Sequence, residues 1–375
     1  MSENDRRILL NPGPVTVSKT VREAMLQSDN CHREKEIQQK IQNIRNDLIS
    51  FCGSNDYIST LFFSSGTGAL ESVIGSAIPK WETGKQDQDF TLIINNGAYG
   101  KRMEDISTIM RVPFITEQIP WGKPIDLERI KKSLESRMFS HIMIVHHETT
   151  TGILNPIKEI GELAKKYGCT YIVDAVSSFG GIPINLGECN IDFLVGVGNK
   201  CIQGLPGLSF VIGKKEEMEN CQLIGPKSLY FDLYSEWKSQ ENGGFRFTAP
   251  VQIIYALEQA LKELKEETIE KRYKRYKQNY NTLIDGFCDD LKFVLYPTET
   301  PSKLLATFYE KEYVSFDTFH DRMYDQGFVI YPGKIMDEKT FRIGVMGDIN
   351  KQDIQRFVDV CGKTLKELKH ARRNE

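Results

Sequence analysis

No two of the chain's eight cysteines stand in a CxxC pair, and their scatter fits reduced thiols better than a disulfide frame. No apolar run approaches the length needed to cross a bilayer. The start, Met1-Ser2-Glu3-Asn4-Asp5-Arg6-Arg7, lacks the apolar core of a signal peptide. A net charge of −3 offers nucleic acid no electrostatic footprint. Internal repeats and low-complexity segments are missing too. These absences leave a soluble, cytoplasmic globular protein as the expectation. Its 375 residues, 40% hydrophobic and 26% charged, suffice for one large domain and a smaller one.

Short β-branched runs alternate with helical patterns through the middle of the chain, predicting strands at 90–94, 141–145, 170–174, 192–196 and 208–212. Between the second and third, Ile157, Ile160, Leu163, Ala164 and Tyr167 form one helical face. Pro156 suits its first turn and Gly168 its stop. Such alternation predicts an α/β fold with a mostly parallel sheet covered by helices, whose chemistry gathers beyond the carboxyl ends of the strands. From Val251 an apolar stripe of Ile253, Leu257, Ala260, Leu261 and Leu264 gives way to Lys/Glu/Arg/Tyr-rich sequence through about Asn281. That predicts one long helix with a solvated charged face, bridging into a smaller C-terminal α+β domain with strands near 304–309, 328–331 and 340–345. The expected division is 1–20 as a segment beside the small domain, 21–265 as the large domain and 266–375 as the small one.

Two ionisable groups stand out against this frame. Lys200 lies in the segment Gly198-Asn199-Lys200 that directly follows the apolar run Phe193-Leu194-Val195-Gly196-Val197, and it precedes a Gly/Pro-rich loop. Burial disfavours its ammonium form and lowers its pKa toward the nucleophilic range, as a lysine that condenses with an aldehyde requires. Asp174 ends the strand Thr170-Tyr171-Ile172-Val173-Asp174. A carboxylate for a pyridinium nitrogen and a lysine for an aldehyde carbon are the two polar handles of pyridoxal 5'-phosphate.

Other candidates are weaker singly. Ser65, Gly66 and Thr67 open a helix, where N–H groups and hydroxyls can converge on a phosphate; the same residues also suit a plain cap. Tyr99, in Asn96-Gly97-Ala98-Tyr99-Gly100, could stack on a pyridine face or pack as a surface turn residue. In His146-His147-Glu148-Thr149-Thr150-Thr151-Gly152 the paired histidines suggest metal. Strand neighbours point to opposite faces, however, so no metal site is expected. The threonine hydroxyls, Thr150 among them, are better donors to cofactor or substrate. Arg342, within a strand-like apolar run, calls for an anion: a substrate carboxylate or phosphonate, or an internal acid. Arg33, in a charged stretch read as an exposed helix start, is left outside the site.

Together these motifs resemble the class V aminotransferases of PLP fold type I, over nearly the whole chain. The likeness runs through Leu10-Asn11-Pro12-Gly13-Pro14, Asn96-Gly97-Ala98-Tyr99-Gly100, Glu148-Thr149-Thr150-Thr151-Gly152, Val173-Asp174-Ala175-Val176, Asn199-Lys200-Cys201-Ile202-Gln203-Gly204, Phe245-Arg246-Phe247-Thr248 and Phe328-Val329-Ile330-Tyr331-Pro332-Gly333-Lys334. The resemblance implies pyridoxal 5'-phosphate bound to Lys200 and facing Asp174. It implies further cofactor contacts from Ser65, Gly66, Thr67, Tyr99, Thr150, Val176 and Asn199. Thr248 resembles a threonine that reaches the neighbouring subunit's cofactor phosphate, implying a homodimer with shared sites, and Arg342 resembles the arginine that holds the substrate anion. The strings around Lys200 and Lys334 resemble members that pass the amino group of 2-aminoethylphosphonate to pyruvate. An alanine–glyoxylate or serine–pyruvate reaction is the alternative. A sulfur lyase is a more distant one, since it needs a mobile catalytic cysteine and Cys201 reads as buried.

Overall fold

A computed structural model describes residues 6–53, 56–81, 90–335 and 338–373; the first five residues of the charged amino-terminal stretch lie outside it. The central sheet has seven strands: β1 (Tyr57–Phe62), β2 (Phe90–Asn95), β3 (Phe114–Gln118), β4 (Phe139–Val145), β5 (Thr170–Asp174), β6 (Phe193–Val197) and β7 (Ser209–Lys214). Their order is β1-β7-β6-β5-β4-β2-β3. From β6 to β3 every pairing is parallel, whereas β7 runs antiparallel to both β1 and β6. The sheet is therefore mostly parallel, as expected, with one correction: the run near 208–212 is reversed. Periodicity reports burial and not direction. The loop carrying Lys200 returns the chain directly from β6 into its neighbour, and a short connection forces an antiparallel pair.

Helices cover both faces. Tyr171, Ile172 and Val173 of β5 are fully buried between the two layers, the situation that selects β-branched and aromatic residues without alternation. Each such Ile or Val stabilises the fold by about 1.5–3 kcal/mol. Helix α1 (Gly66–Ala77) follows β1, α2 (Ala98–Ile109) follows β2 and α3 (Ile157–Tyr167) lies between β4 and β5. The α3 boundaries match the sequence signals: Pro156 is its N-cap and Gly168, at φ +67°, its left-handed stop.

The single long helix expected from Val251 to about Asn281 is in fact two, α4 (Val251–Glu267) and α5 (Ile269–Ile284). They break at Thr268, whose φ of +67° no helix accommodates and whose hydroxyl accepts from Lys271 N. The charge run is also more than a solvated face. Arg272 is fully buried; its Nε donates to Glu267 at 2.7 Å and its Nη1 to the carbonyls of Cys201 and Ile202 at 2.8 and 3.1 Å. Arg275 pairs with the same Glu267 and donates to the carbonyls of Gly347 and Ile349. A buried guanidinium keeps its charge only with partners of this kind.

A second core gathers Phe287, Phe293, Phe308, Phe341 and Phe357. Its sheet has the order β8 (Leu305–Tyr309), β10 (Thr340–Gly344), β9 (Tyr331–Pro332), all antiparallel. The amino-terminal strand Ile8–Leu9 belongs with this core, pairing in parallel with Phe328–Val329. From there residues 11–14 run back across the carboxyl edge of the central sheet.

Candidate active site

The ends of β5 and β6, the start of α1 and the first turn of α2 enclose a cavity of about 150 Å³. Its lining includes Ser65, Gly66, Thr67, Tyr99, Asp174, Val176, Asn199 and Lys200, eight of the residues singled out above, together with Arg102. Topology explains the convergence. Asp174 and Lys200 lie beyond the carboxyl ends of adjacent parallel strands, so 26 residues of separation collapse to neighbouring positions.

Lys200 is anchored from above, its Nζ donating to the Pro12 carbonyl at 2.6 Å. Gly13 lies flat against its stem: a Cβ built there would meet Lys200 Cδ and Cε at 2.5 Å, and φ of +137° is open only to glycine. Burial, with help from the nearby Arg342 charge, lowers the Lys200 pKa and favours the neutral amine. Asp174 accepts from Val176 N at 2.9 Å. Burial raises its carboxyl to about 6, against the pull of the Val176 N–H, Lys200 and Arg102. Above about pH 6 the carboxyl carries its charge at a cost that a cation beside it would relieve. For Tyr99, burial alone would raise the phenol, but Lys200, the Thr149 hydroxyl, Lys334 and Arg342 outweigh it and bring the pKa down to about 8.

Three expected site residues lie outside the cavity wall. Thr150 is buried, and its hydroxyl donates to Glu148 at 2.6 Å while accepting from Ala98 N. It braces α2 and has no proton left for a ligand. Thr149 is the better donor, since its buried Oγ1 makes no well-formed hydrogen bond among the described residues and lies close enough to the Tyr99 phenol to help lower its pKa. Arg342 on β10 is buried and donates to the carbonyls of Pro332 and Thr149 at 3.0 and 3.3 Å. Among the described residues no carboxylate stands within ion-pair range of it; burial lowers its pKa, with the nearby Tyr99 and Glu148 working against that shift. Thr248 is turned away from its own chain's cavity, beside Phe63, Tyr230 and Phe247.

Sequence reasoning missed Glu148 and Arg102. Glu148 is a fully buried carboxylate whose pKa burial raises; it accepts from Tyr99 N and Gly100 N at the start of α2 and from Thr150. Gly97 leaves it the room. An acid at a helix start is a recognisable signal, but here it comes from 50 residues away in sequence. His146 and His147 bond to separate partners, Ser178 on one side and Ser177 and Ser302 on the other, and burial lowers both to about 3, so they are neutral. No cluster of potential metal ligands occurs among the described residues. Arg33 lies at an unrelated surface groove with His32 and Gly243.

The residues present fit pyridoxal phosphate: a buried acid whose charge a cation would relieve, an amine whose pKa burial lowers, and hydroxyls at a helix start. The comparisons with known proteins agree. The family model described as "Aminotransferase class-V" matches residues 18–313. A 2-aminoethylphosphonate--pyruvate transaminase of Bacillus cereus (strain AH187) is 41% identical over 370 residues, covering 97% of this chain and 99% of that protein. A bifunctional phosphonoacetaldehyde hydrolase/aminoethylphosphonate transaminase of Clostridioides difficile (strain 630) is 44% identical; the alignment covers 96% of this chain but 56% of that longer protein. Among solved structures, an alanine--glyoxylate aminotransferase from Nostoc sp. superposes with a TM-score of 0.88 at 25% identity, covering 96% of this chain and 95% of that one. A ureidoglycine-glyoxylate aminotransferase from Bacillus subtilis gives 0.88 at 21% identity, covering 97% and 94%, a likeness of fold. With the family match spanning most of its length and its cavity suited to the cofactor, the chain belongs to the class-V aminotransferases, enzymes that work through pyridoxal phosphate.

Proposed function

We propose that the protein transfers the amino group of 2-aminoethylphosphonate to pyruvate, giving phosphonoacetaldehyde and L-alanine. The likeness at 41% identity to a relative of nearly the same length, named for this reaction, carries the reading. When bound, pyridoxal phosphate supplies an electron sink for the carbanion left when a proton departs beside the amino group.

The chain's own residues account for the rest. Ser65, Gly66 and Thr67 would hold the phosphate at the start of α1, and Tyr99 would bear on the pyridine, with Val176 and Asn199 completing the walls. Asp174 would hold the proton on the ring nitrogen and so keep the sink strong. Lys200, whose pKa burial lowers, would tether the group covalently, and its amine would carry the proton taken from the amino-bearing carbon of the substrate. Arg342 turns its fork to the phosphonate of the donor and the carboxylate of the acceptor in turn. The Thr149 hydroxyl, beside the Tyr99 phenol, would be the donor where Thr150 is committed to Glu148.

The protein acts as a homodimer. Tyr230 and Phe247 stack at 5.3 Å on an exposed ledge beside Thr248, with Leu229 nearby, so a second copy covering this ledge would bring Thr248 to the partner's phosphate. Residues 21–265 form the cofactor-binding domain and 266–375 the smaller one, with 1–20 beside it; the two separate cores support this division. No helix of the described residues is long and apolar enough to cross a membrane, and the protein is read as a cytoplasmic enzyme.

The test is a single turnover. Cofactor-loaded protein mixed with 2-aminoethylphosphonate, without pyruvate, should lose its yellow absorbance and release one equivalent of phosphonoacetaldehyde; pyruvate should restore the colour and yield L-alanine. Borohydride should fix the cofactor to the peptide containing Lys200. Retained colour with the phosphonate, alongside bleaching by alanine or serine, would transfer the reading to the glyoxylate- or serine-type reactions.

A further inference from the structure

Of the side chains lining the cavity, two are basic, Lys200 and Arg102, and burial draws the Lys200 amine away from its charged form. Lys200 is taken up by the Pro12 carbonyl and the covalent chemistry. Arg102 has no part in the reaction described above, yet its Nη1 donates to Thr67 Oγ1 at 3.1 Å, on the phosphate cup itself. Its guanidinium carbon lies 4.7 Å from the centre of the Tyr99 ring. The sequence allows this because Tyr99 and Arg102 stand three apart on α2 and so share a face. Among the described residues, Arg102 has no carboxylate within ion-pair range.

The cup without Arg102 is electrically weak. Ser65, Gly66 and Thr67 offer hydroxyls and N–H groups, and the α1 terminus adds about half a positive charge. A phosphate monoester brings a charge of about −1.5 to −2 near neutrality. Holding that charge in a largely enclosed site with half a charge opposite is costly. A guanidinium on the cup's own threonine removes the deficit and presents two parallel donors to two phosphate oxygens.

We propose that Arg102 is the cation that binds the cofactor's phosphate, an assignment that rests on the reading of Ser65, Gly66 and Thr67 as the cup. Held there by the phosphate, the arginine is also kept off Asp174, leaving that carboxylate to the ring nitrogen.

Pyridoxal 5'-phosphate and pyridoxal differ only in the phosphate, so their affinities for one protein isolate its contribution. Both are titrated into cofactor-stripped wild type and Arg102→Met, followed by quenching of protein fluorescence. Arg102→Met should weaken pyridoxal phosphate by roughly 10- to 100-fold and leave pyridoxal unchanged. Unchanged pyridoxal phosphate affinity, or an equal loss for both ligands, overturns the role of Arg102. A wild type that binds both equally overturns the cup and with it the proposal. Should Arg102→Met not fold, Arg102→Gln, polar but uncharged, repeats the comparison with the same outcomes.

Discussion

The cavity is built from two regions that differ in how they hold their charged groups. On one side, the carboxyl edge of the central sheet presents Asp174 and Lys200 from the ends of adjacent buried strands. On the other, the amino-terminal segment and the small sheet bring the Pro12 carbonyl and Arg342. The first side is committed before any ligand arrives, its groups driven toward uncharged forms by burial. The second spends its charge on backbone carbonyls that an anion can replace. Under the proposed function, the difference would give the sheet edge to the cofactor and the small sheet to the substrate.

The strongest break of that assignment is Asp174→Asn. An amide cannot hold a proton on the ring nitrogen, so kcat should fall by about 10²–10³-fold, the scale of losing one well-placed electrostatic group. Stability should move the other way. In the cofactor-free fold the Asp174 carboxyl sits near 6, against 3.8 for the free group. Below about pH 4 both folded and unfolded chains keep the proton. Between 4 and 6 only the folded chain does, so stability falls as pH rises; above 6 the full penalty, about 3 kcal/mol, applies. Thermal melts of cofactor-free protein at pH 8 should therefore show Asp174→Asn melting above wild type, with the gap closing toward pH 4. A variant that loses both activity and stability at pH 8 would mean that Asp174 is a structural acid.

Arg342→Lys tests the opposite side and should have a smaller effect. A lysine keeps the charge but loses the fork that grips two oxygens at once. KM for both 2-aminoethylphosphonate and pyruvate should rise about tenfold to a hundredfold, with kcat and pyridoxal phosphate affinity little changed. Steady-state kinetics beside a cofactor titration check this. A matching loss of cofactor affinity would erase the distinction between the two sides.

Much of this contrast was legible in the sequence on the first side and little on the second. The run at Thr170 to Asp174 announced both its strand and its end because burial on two faces selects an unbroken apolar string. The pairing of Asp174 with Lys200 followed once the strands were taken as parallel neighbours. What stayed hidden depends on distant contacts. Thr150 looked like a donor until Glu148 claimed its proton, and it is Thr149, one residue away, whose hydroxyl lies beside the Tyr99 phenol. The break at Thr268 carries no glycine or proline to mark it. The charged stretch beyond it read as solvated because nothing local reveals that Arg272 grips the carbonyls just after Lys200 while Arg275 grips those at Gly347 and Ile349. Those two arginines, joined through Glu267, tie the lysine loop to the small sheet and so hold the two regions in register.

The point where the regions touch, Gly13 against Lys200, provides the mildest test. Alanine there would be forced into a backbone conformation that costs on the order of 1–3 kcal/mol, and its methyl would press on the lysine stem. The contact at 2.5 Å requires the lysine stem to move aside, which its flexible carbons allow, so the fold should survive. Gly13→Ala should lower the melting temperature by a few degrees and kcat by less than about tenfold, because the Pro12 carbonyl no longer meets Nζ squarely. Pyridoxal phosphate affinity should hold, since the residues assigned to it stand on the sheet edge. A loss of cofactor binding in this variant would show that the amino-terminal segment shapes the cofactor site as well as covering it, and the two sides would have to be counted as one.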